Sequence, residues 1–429
     1  MKTARLHQRF LLCSGVDTDT RKIRENSIFF ALKGDNFNGN VFAEEALRKG
    51  AKYVVVDEKE YAKDSEEYIL VKNSLEALQK LAIFHRNYLK IPILAITGSN
   101  GKTTTKELIN AVLSKKYRTI ATSGNYNNHI GVPLTLLTMD EETEFGIVEM
   151  GANHILEIEF LCTIANPDYG FITNFGKAHL EGFGGIEGVI KGKTELYKHL
   201  QERNKLIFLN IDDEIQRKHS NYKHTFSFGE NPEADVQLEY KKGEKAEIIY
   251  NNTLFTSQFS GSYNARNIAA ALSIGLYFKV NFDEIRQAIK DFKPGNNRSE
   301  VIPAGSNTII MDAYNANPTS MHAALENFQN LKTNKQKIAI LGDMFELGDE
   351  AATEHQLIVN HVKNSNFSET YLLGENFRNT EVQSDFIFKF KDIASLKKHI
   401  EETNYENCYF LIKGSRGMAL ERLLNSLKK

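Results

Sequence analysis

Short apolar runs alternate with longer amphipathic stretches along most of the 429-residue sequence. Amphipathic stretches such as 105–117 and 319–331 lie between the apolar runs and predict helices. This alternation with short loops is typical of α/β folds built on parallel sheets. The apolar runs that predict strands are residues 53–56, 93–97, 145–150, 169–174, 206–210, 308–314, 338–343, 370–374 and 409–414.

Two regions interrupt that alternation. Residues 1–90 contain a glycine- and asparagine-rich segment with β character, followed by a predicted helix near 73–89. Residues 224–260 have polar turns between short β-like runs and predict antiparallel hairpins. Pro92 and the stretch "KPGNN" at 293–297 mark boundaries. We therefore predict three domains, each of ordinary size, at residues 1–90, 91–293 and 294–429.

The composition is that of a globular protein, with 41% hydrophobic and 25% charged residues. A net charge of −2 argues against a general nucleic-acid or anionic-membrane binder. No apolar run reaches the ~18–20 residues of a membrane span, and the start lacks a signal-peptide pattern. The widely spaced Cys13, Cys162 and Cys408 fit a reducing compartment. We expect a cytoplasmic protein without membrane insertion, and a monomer because no long apolar surface stripe favours an obligate oligomer.

The segment "AITGSNGKTTTKE" at 95–107 joins a predicted strand to a predicted helix. Backbone N–H groups of such a loop, together with the helix N-terminus, bind phosphate. The loop is shorter than the common pattern G-x-x-x-x-G-K-[ST], because Ile96 stands where the first glycine belongs. A glycine turn with an N-capping threonine is the alternative interpretation. The residues predicted to hold a nucleotide phosphate are Gly98, Ser99, Asn100, Gly101, Lys102, Thr103 and Thr104.

Polar residues follow almost every predicted strand, where open α/β sheets bind their ligands. Glu149 ends an apolar run, as the metal-holding acid of phosphate-loop enzymes does, although a solvated carboxylate would also fit. His179 follows another strand of the same predicted sheet. Lys191 and Lys193 are surface lysines by composition alone. The recurrence of acids, amides and lysines favours a charged ligand.

With these residues placed, the chain resembles the Mur ligases, the ATP-dependent amide-forming enzymes of peptidoglycan precursor synthesis. The matching motifs follow the family's order over nearly the whole chain. "DAYNANP" followed by "LGDMFELG" is most specific to the member that adds D-alanyl-D-alanine to UDP-N-acetylmuramoyl-tripeptide. Other matching stretches are "TGSNGKTTTKE", "GNYNNHIGVPLTLL", "EMGANH", "NPDYGFITNFGKAHLEGFG", "KGKTEL", "GSYNARNIAAAL" and "KGSRGM".

The resemblance implies a fold and a reaction. The fold would comprise a small α/β N-terminal uridine-nucleotide-binding domain, a central P-loop ATPase-like domain with a mostly parallel sheet, and a C-terminal Rossmann-like domain. The reaction would transfer the ATP γ-phosphoryl group to the tripeptide carboxylate. D-alanyl-D-alanine would then attack the acyl phosphate, with ADP and phosphate released. Two Mg²⁺ ions would assist.

The resemblance also implies catalytic roles. Lys102 and Thr103 would hold ATP phosphates and Mg²⁺, and Glu149 and His179 would be Mg²⁺ ligands. Lys193 matches the lysine that CO₂ converts to a carbamate, which would supply a further anionic metal ligand. Lys191 lies close enough in sequence that the carbamate could belong to it instead.

Further residues match the family's binding positions. Asn264 and Asn267 resemble adenine-contacting asparagines, and Arg298 and Asp312 would reach the ATP phosphate and ribose. His129 replaces an acid of many relatives, and Asn40 replaces a histidine, which puts details of the substrate pocket in doubt. The residues implied in substrate binding are Asn315, Asn317, Lys413 and Arg416 at the interdomain cleft, Thr20, Arg21, Ala31 and Leu32 in the uridine pocket, and Asn125 and Asn128.

Two alternatives stay open from the sequence. The first is a sister ligase that adds another amino acid, or a folate polyglutamylating ligase with the same phosphate loop. The second is a nucleotide-binding regulatory protein that has lost catalysis. The sequence assigns no general base, and it leaves lysine and diaminopimelate equally possible at the third position of the tripeptide.

Overall fold

The computed structural model describes residues 2–219, 221–243, 245–293, 295 and 297–428. For reference, the N-terminal part is residues 2–90, the central part is 91–293 and the C-terminal part is 297–428, with the gaps just given. Each part has its own β-sheet. The central and C-terminal sheets are parallel except for one edge strand, which confirms the predicted α/β class.

The N-terminal part has a four-stranded parallel sheet in the order β1-β2-β5-β6 and a small β3/β4 hairpin. Its last helix also packs on the central part, because buried Leu78 and Leu81 share one hydrophobic cluster with Val132 and Ile158. The elements are α1 Thr3–Phe10, β1 Val16–Asp17, β2 Ile28–Phe30, β3 Lys33–Gly34, β4 Phe37–Asn38, α2 Ala43–Arg48, β5 Tyr53–Val56, β6 Tyr68–Leu70 and α3 Ser74–Leu89.

The central part has a seven-stranded parallel sheet in the order β13-β12-β11-β10-β7-β9-β8. The chain order reverses at β7, which creates a crevice at the carboxyl ends of the strands. The elements are β7 Ile93–Thr97, α4 Lys102–Leu113, β8 Thr119–Ala121, α5 Gly131–Leu136, β9 Phe145–Glu149, α6 Glu157–Ala165, β10 Tyr169–Ile172, α7 Leu180–Phe183, α8 Ile186–Glu202, β11 Leu206–Asn210, α9 Glu214–Arg217, β12 Thr225–Gly229, β13 Val236–Gln237, β14 Glu239–Tyr240, β15 Lys245–Tyr250, β16 Thr253–Ser260, α10 Ala265–Tyr277 and α11 Phe282–Asp291.

The hairpin prediction for residues 224–260 is only partly right. Strands β14, β15 and β16 form the expected antiparallel sheet. Strand β12 instead pairs in parallel with β11, and it buries Phe228 in the central core. An alternating pattern reveals which face of a strand is buried but not which strand lies beside it. The short edge strand β8 was not predicted, because its three residues are only partly buried.

The C-terminal part has a six-stranded sheet in the order β17-β18-β22-β19-β20-β21, antiparallel only between β17 and β18. Strand β22 returns from the end of the chain to lie between β18 and β19, so Lys413 ends beside Asp312. The elements are β17 Glu300–Ala304, β18 Asn307–Asp312, α12 Pro318–Asn330, β19 Gln336–Gly342, α13 Ala351–Lys363, β20 Glu369–Leu373, α14 Glu375–Arg378, β21 Ile387–Phe390, α15 Ile393–Thr403, β22 Cys408–Lys413 and α16 Leu424–Leu427.

The change from one sheet to the next falls between Leu89 and Ile93, and again between Asp291 and Glu300. The domain boundaries themselves stay predictions, and the second one falls at Pro294, outside the described residues. Among the described helices, none is both long enough and apolar enough to cross a membrane.

Candidate active site

A cavity of about 1250 Å³ opens at the carboxyl ends of the central strands and extends to the C-terminal part. Polar and charged residues of the central and C-terminal parts line it together with Gln79 of the N-terminal part, and apolar side chains such as Leu156 and Phe160 form one wall. The sequence-predicted residues that line it are Ser99, Asn100, Gly101, Lys102, Thr103, Thr104, Asn125, Asn128, Glu149, His179, Asn264, Asn267, Arg298, Asp312, Asn315 and Lys413.

The loop between β7 and α4 requires both of its glycines. Gly98 has a φ of +138°, and a Cβ there would lie 2.0 Å from the hydroxyl oxygen of Thr173. Gly101 has a φ of +79°, and a Cβ would lie 2.8 Å from Oδ1 of Asn267. The backbone thus turns tightly into the first turn of α4, which lines the cavity. A glycine turn that opens a long helix at a cavity suits phosphate binding despite its short spacing.

The ammonium of Lys102 folds back over this loop. Its Nζ donates to the carbonyl oxygens of Gly98, at 2.7 Å, and Ser99, at 3.2 Å. Burial lowers the pKa of Lys102, while the nearby Glu149 carboxylate acts in the opposite direction. Lys102 makes no ion pair with a carboxylate within the described residues. The site therefore holds a half-buried cation without a carboxylate partner, which an anionic ligand could neutralise.

Glu149 presents one carboxylate oxygen without a partner. Its side chain is 1% exposed, and Oε1 accepts bonds from Asn127 Nδ2, at 2.8 Å, and Thr103 Oγ1, at 3.2 Å. The other oxygen, Oε2, is buried and has no hydrogen-bond partner among the described residues. A buried unpaired carboxylate oxygen beside a threonine hydroxyl fits a bound divalent cation. Sequence reasoning missed Asn127, although it lies within the quoted motif "GNYNNHIG".

His179 lines the same cavity but contacts the C-terminal part. Its Nδ1 bonds to the carboxylate of Glu346, and its backbone φ of +54° is uncommon for a residue other than glycine. Within the described residues, no three histidine, cysteine, aspartate or glutamate side chains cluster as a metal site would require. A metal near Glu149 and His179 would therefore need other ligands as well, and Mg²⁺ commonly takes these from substrate phosphates and water.

Burial separates the two candidate lysines. Lys191 is exposed, whereas Lys193 is 1% exposed on the inner face of α8. Nζ of Lys193 donates to the carbonyl oxygen of Ala152 at 3.0 Å and lies 4.9 Å from the centroid of the Phe183 ring. Burial, and then the charge of Lys102, hold the pKa of Lys193 well below its ordinary value. Lys193 does not line the cavity itself, but Ala152 does.

The predicted nucleotide-contacting asparagines form a short hydrogen-bond chain. Thr105 Oγ1 donates to Asn267 Oδ1 at 3.1 Å, and Asn267 Nδ2 donates to Asn264 Oδ1 at 3.0 Å. Asn264 Nδ2 then donates to the carbonyl oxygen of Ser260 at 2.9 Å. This chain holds both amides at the start of α10 and links them to the first turns of α4, just after the phosphate loop.

Arg298, Asp312 and Lys413 lie at the C-terminal wall of the cavity. The Asp312 carboxylate accepts from Lys413 Nζ at 2.6 Å and from the backbone N–H of Ser299 at 3.1 Å. The guanidinium of Arg298 lies 3.6 Å from the centroid of the Tyr314 ring, and its buried Nε has no partner among the described residues. This wall thus offers both a carboxylate and cationic donors to a polar ligand.

Two predicted cleft residues lie outside the cavity lining. Asn317 caps α12, and its Nδ2 donates to Asn100 Oδ1 at 2.7 Å, so it joins the C-terminal part to the phosphate loop. Arg416 pairs with Glu421 at 3.2 Å, and its guanidinium carbon is 6.0 Å from the Tyr314 ring centroid.

The predicted uridine-pocket residues lie away from this cavity. Arg21 bonds to Asp19 at 2.7 Å, and the carbonyl oxygen of Thr20 accepts from Lys49 Nζ at 3.0 Å. Ala31 is fully buried, and Leu32 packs partly against the N-terminal core. Their roles in binding stay predictions.

Three family models match successive segments of the chain. The Mur ligase family, catalytic domain, matches residues 13–86. The Mur ligase middle domain matches residues 96–275, and the Mur ligase, glutamate ligase domain, matches residues 297–416. The three segments follow the order of the three sheets.

Known proteins resemble the chain over almost its full length. The UDP-N-acetylmuramoyl-tripeptide–D-alanyl-D-alanine ligase of Bacillus subtilis is 34% identical, covering 96% of this chain and 93% of that protein. A crystal structure of MurF from Acinetobacter baumannii is 29% identical with a TM-score of 0.85, covering 96% of this chain and 93% of that one. MurF from Thermotoga maritima, solved in complex with ADP, is 29% identical with a TM-score of 0.83, covering 98% of both chains.

Proposed function

The chain belongs to the Mur ligase family, and we propose that it joins D-alanyl-D-alanine to UDP-N-acetylmuramoyl-tripeptide in an ATP-dependent step of peptidoglycan precursor synthesis. One observation carries the proposal. The phosphate loop with Glu149 and the C-terminal wall with Asp312 line one cavity, so a nucleotide and an acceptor can meet there. The full-length likeness to ligases of this activity favours it over a sister or folate ligase.

The first chemical step activates the tripeptide carboxylate. A carboxylate is a poor electrophile, and transfer of the ATP γ-phosphoryl group makes it an acyl phosphate, with ADP leaving. The enzyme's task is to position the two reactants in line and to stabilise the charge on the moving phosphoryl group. Lys102, freed from the carbonyls of Gly98 and Ser99, supplies a cation to the phosphate oxygens, together with the N–H groups at the start of α4.

The second step forms the amide bond. The neutral amine of D-alanyl-D-alanine attacks the acyl carbon, the C–O bond to phosphate breaks, and the amine proton passes to a base that we leave unassigned. Water would destroy the acyl phosphate, so the C-terminal part has to close the cavity while the intermediate exists. The contact of Asn317 with Asn100 brings that part directly onto the phosphate loop.

The polar groups beside the loop fit Mg²⁺. Thr103 and Glu149, with its unpaired Oε2, would hold a first ion, and His179 would contribute to a second. When bound, Mg²⁺ neutralises phosphate charge during phosphoryl transfer. This side of the cavity thus combines one anionic metal ligand, Glu149, with the cation of Lys102.

The carbamate belongs on Lys193 rather than Lys191. A neutral amine adds CO₂ and loses a proton, which leaves an N-carboxylate in place of an ammonium. Burial already disfavours the charged ammonium of Lys193, and in the described residues no carboxylate pairs with it. Lys191 is exposed, so burial does not disfavour its ammonium. The modified side chain would place an anion close to the cation Lys102, where an ammonium would be repelled.

The remaining roles follow the resemblance. Asn264 and Asn267 contact adenine, and Arg298 and Asp312 close over the nucleotide. Three unpaired thiols, Cys13, Cys162 and Cys408, suit a reducing cytoplasm, where ATP is available. The other residues proposed to bind substrate are Asn125, Asn128, Asn315, Asn317, Lys413 and Arg416 at the cavity or its rim, and Thr20, Arg21, Ala31 and Leu32 in the N-terminal part.

Product mass tests the proposal. The protein is incubated with ATP, Mg²⁺, D-alanyl-D-alanine and a UDP-muramoyl-tripeptide carrying either lysine or diaminopimelate. We expect a product heavier than one of the tripeptides by the dipeptide minus water, and phosphate release that requires both substrates. Phosphate release with glutamate and a folate instead would support the folate ligase. ATP binding without substrate-dependent hydrolysis would support the regulatory protein.

A further inference from the structure

The loop between β19 and α13, residues 343–350, reaches from the C-terminal part to α7 of the central part. The backbone N–H of Glu181 donates to the carbonyl oxygen of Glu346 at 3.3 Å. Glu346 has a φ of +61°, uncommon for a residue other than glycine. This backbone directs the Glu346 carboxylate to Nδ1 of His179.

Side chains of the C-terminal part hold the backbone of this loop in place. The backbone N–H of Met344 donates to Nε2 of buried His355 at 3.0 Å, and that of Phe345 donates to Ser415 Oγ at 2.9 Å. These bonds immediately precede Glu346 in the chain. Its position is therefore set by the C-terminal part, whereas the position of His179 is set by the central part.

The bond also determines the proton position on His179. A carboxylate only accepts, so Nδ1 has to carry the proton. Nδ1 is therefore occupied by Glu346, and no other described group bonds to Nε2. Because His179 lines the cavity, its free nitrogen is available there as a ligand. Metal-binding histidines commonly donate their other ring N–H to a carboxylate in this way.

We propose that Glu346 is a positioning residue, which holds the His179 imidazole with Nε2 free for Mg²⁺ when the C-terminal part is docked. The metal aspect rests on the proposed function. Undocking removes the acceptor at Nδ1, and the imidazole can then place its proton on Nε2, where it competes with metal binding. Docking of the C-terminal part thereby orients His179, a metal ligand of the central part, for binding.

Histidine NMR tests the proton position without any substrate. Full-length, metal-free protein is labelled with ¹⁵N-histidine, and the His179 signals are assigned by their loss in His179→Gln. We expect the wild type, whenever one ring nitrogen carries the only proton, to carry it on Nδ1. Glu346→Ala should give a mixture of both forms, whereas Glu346→Gln should keep the wild-type form, because its amide oxygen still accepts. Asp349→Asn, an exposed change on the same loop, is the matched control and should also keep it.

Binding of Mn²⁺ in the presence of ADP, followed by electron paramagnetic resonance, tests the consequence. We expect Glu346→Ala to weaken Mn²⁺ binding by about 10- to 100-fold, with Asp349→Asn unchanged. A wild-type His179 protonated at Nε2, or a Glu346→Ala variant with the wild-type proton position and Mn²⁺ affinity, would overturn the proposal. A wild type that forms no ligation product would refute the proposed function instead, and the NMR result would still decide the role of Glu346.

Discussion

Nζ of Lys177 lies 2.5 Å from Oε1 of Glu354 and joins the central part to the C-terminal part. The Glu354 side chain is 2% exposed, whereas that of Lys177 is 47% exposed. Lys177 also donates its backbone N–H to Thr319 Oγ1 at 2.9 Å. The buried carboxylate thus obtains a cation across the boundary only when the two parts are docked.

Lys177→Met should favour undocking. It leaves the Glu354 carboxylate buried without a cation in the docked form, at a cost of about 1–2 kcal/mol once the exposure of Lys177 is allowed for. Undocking hydrates that carboxylate. We expect about a tenfold fall in kcat and a larger radius of gyration in small-angle X-ray scattering. The control is Lys363→Met, which changes an exposed lysine on α13, the helix that carries Glu354. Scattering curves identical to the wild type would contradict the role of this ion pair.

Lys102→Ala should abolish turnover while the fold stays intact. The variant removes the cation that contacts the loop carbonyls and, in the proposed reaction, the phosphate oxygens. We expect kcat for phosphate release to fall by at least about 100-fold, with an unchanged far-ultraviolet circular dichroism spectrum. Lys115→Ala, at an exposed lysine just after α4, should keep normal activity. A wild-type kcat in Lys102→Ala would refute the phosphate-loop assignment.

Lys193→Ala should be inactive but rescued by small carboxylates. The truncated side chain leaves space beside Ala152 and Phe183, where formate or acetate could replace the carbamate anion. We expect millimolar acetate to restore part of the lost kcat, as measured by phosphate release. Lys191→Ala, two positions away on the exposed face of α8, should need no rescue. Full activity of Lys193→Ala, or rescue seen only in Lys191→Ala, would end the assignment to Lys193.

The sequence could predict this site only in part, for a physical reason. Strand runs and the glycine loop are local patterns, so β7, α4 and the position of Glu149 at a strand end were predicted correctly. The partner of His179 lies 167 positions away, and no local pattern indicates that Glu346 will reach it. The choice between Lys191 and Lys193 likewise depends on which of them is buried. The sequence of the helix alone does not show this.

The buried imidazole of His199 should make the protein less stable in acid. Burial, and then the charge of Arg203, lower the pKa of His199 from 6.5 to about 4, and its Nε2 has no hydrogen-bond partner among the described residues. Between pH 6.5 and about 4 the unfolded chain therefore binds a proton that the folded chain does not. The contribution of His199 to the free energy of unfolding is therefore present above pH 6.5. It is lost as the pH falls to about 4, and the loss is at most about 3 kcal/mol.

His199→Leu removes this titration and should lessen the acid-induced fall in stability. We compare urea unfolding midpoints at pH 7.5 and 4.5 for the wild type, His199→Leu and His224→Leu, the last at a partly exposed histidine. The drop in midpoint between the two pH values should be smaller in His199→Leu than in either of the others. The comparison is within each variant, so any packing cost of the leucine cancels. An equal drop in all three would show that His199 is already protonated in the folded protein at pH 4.5.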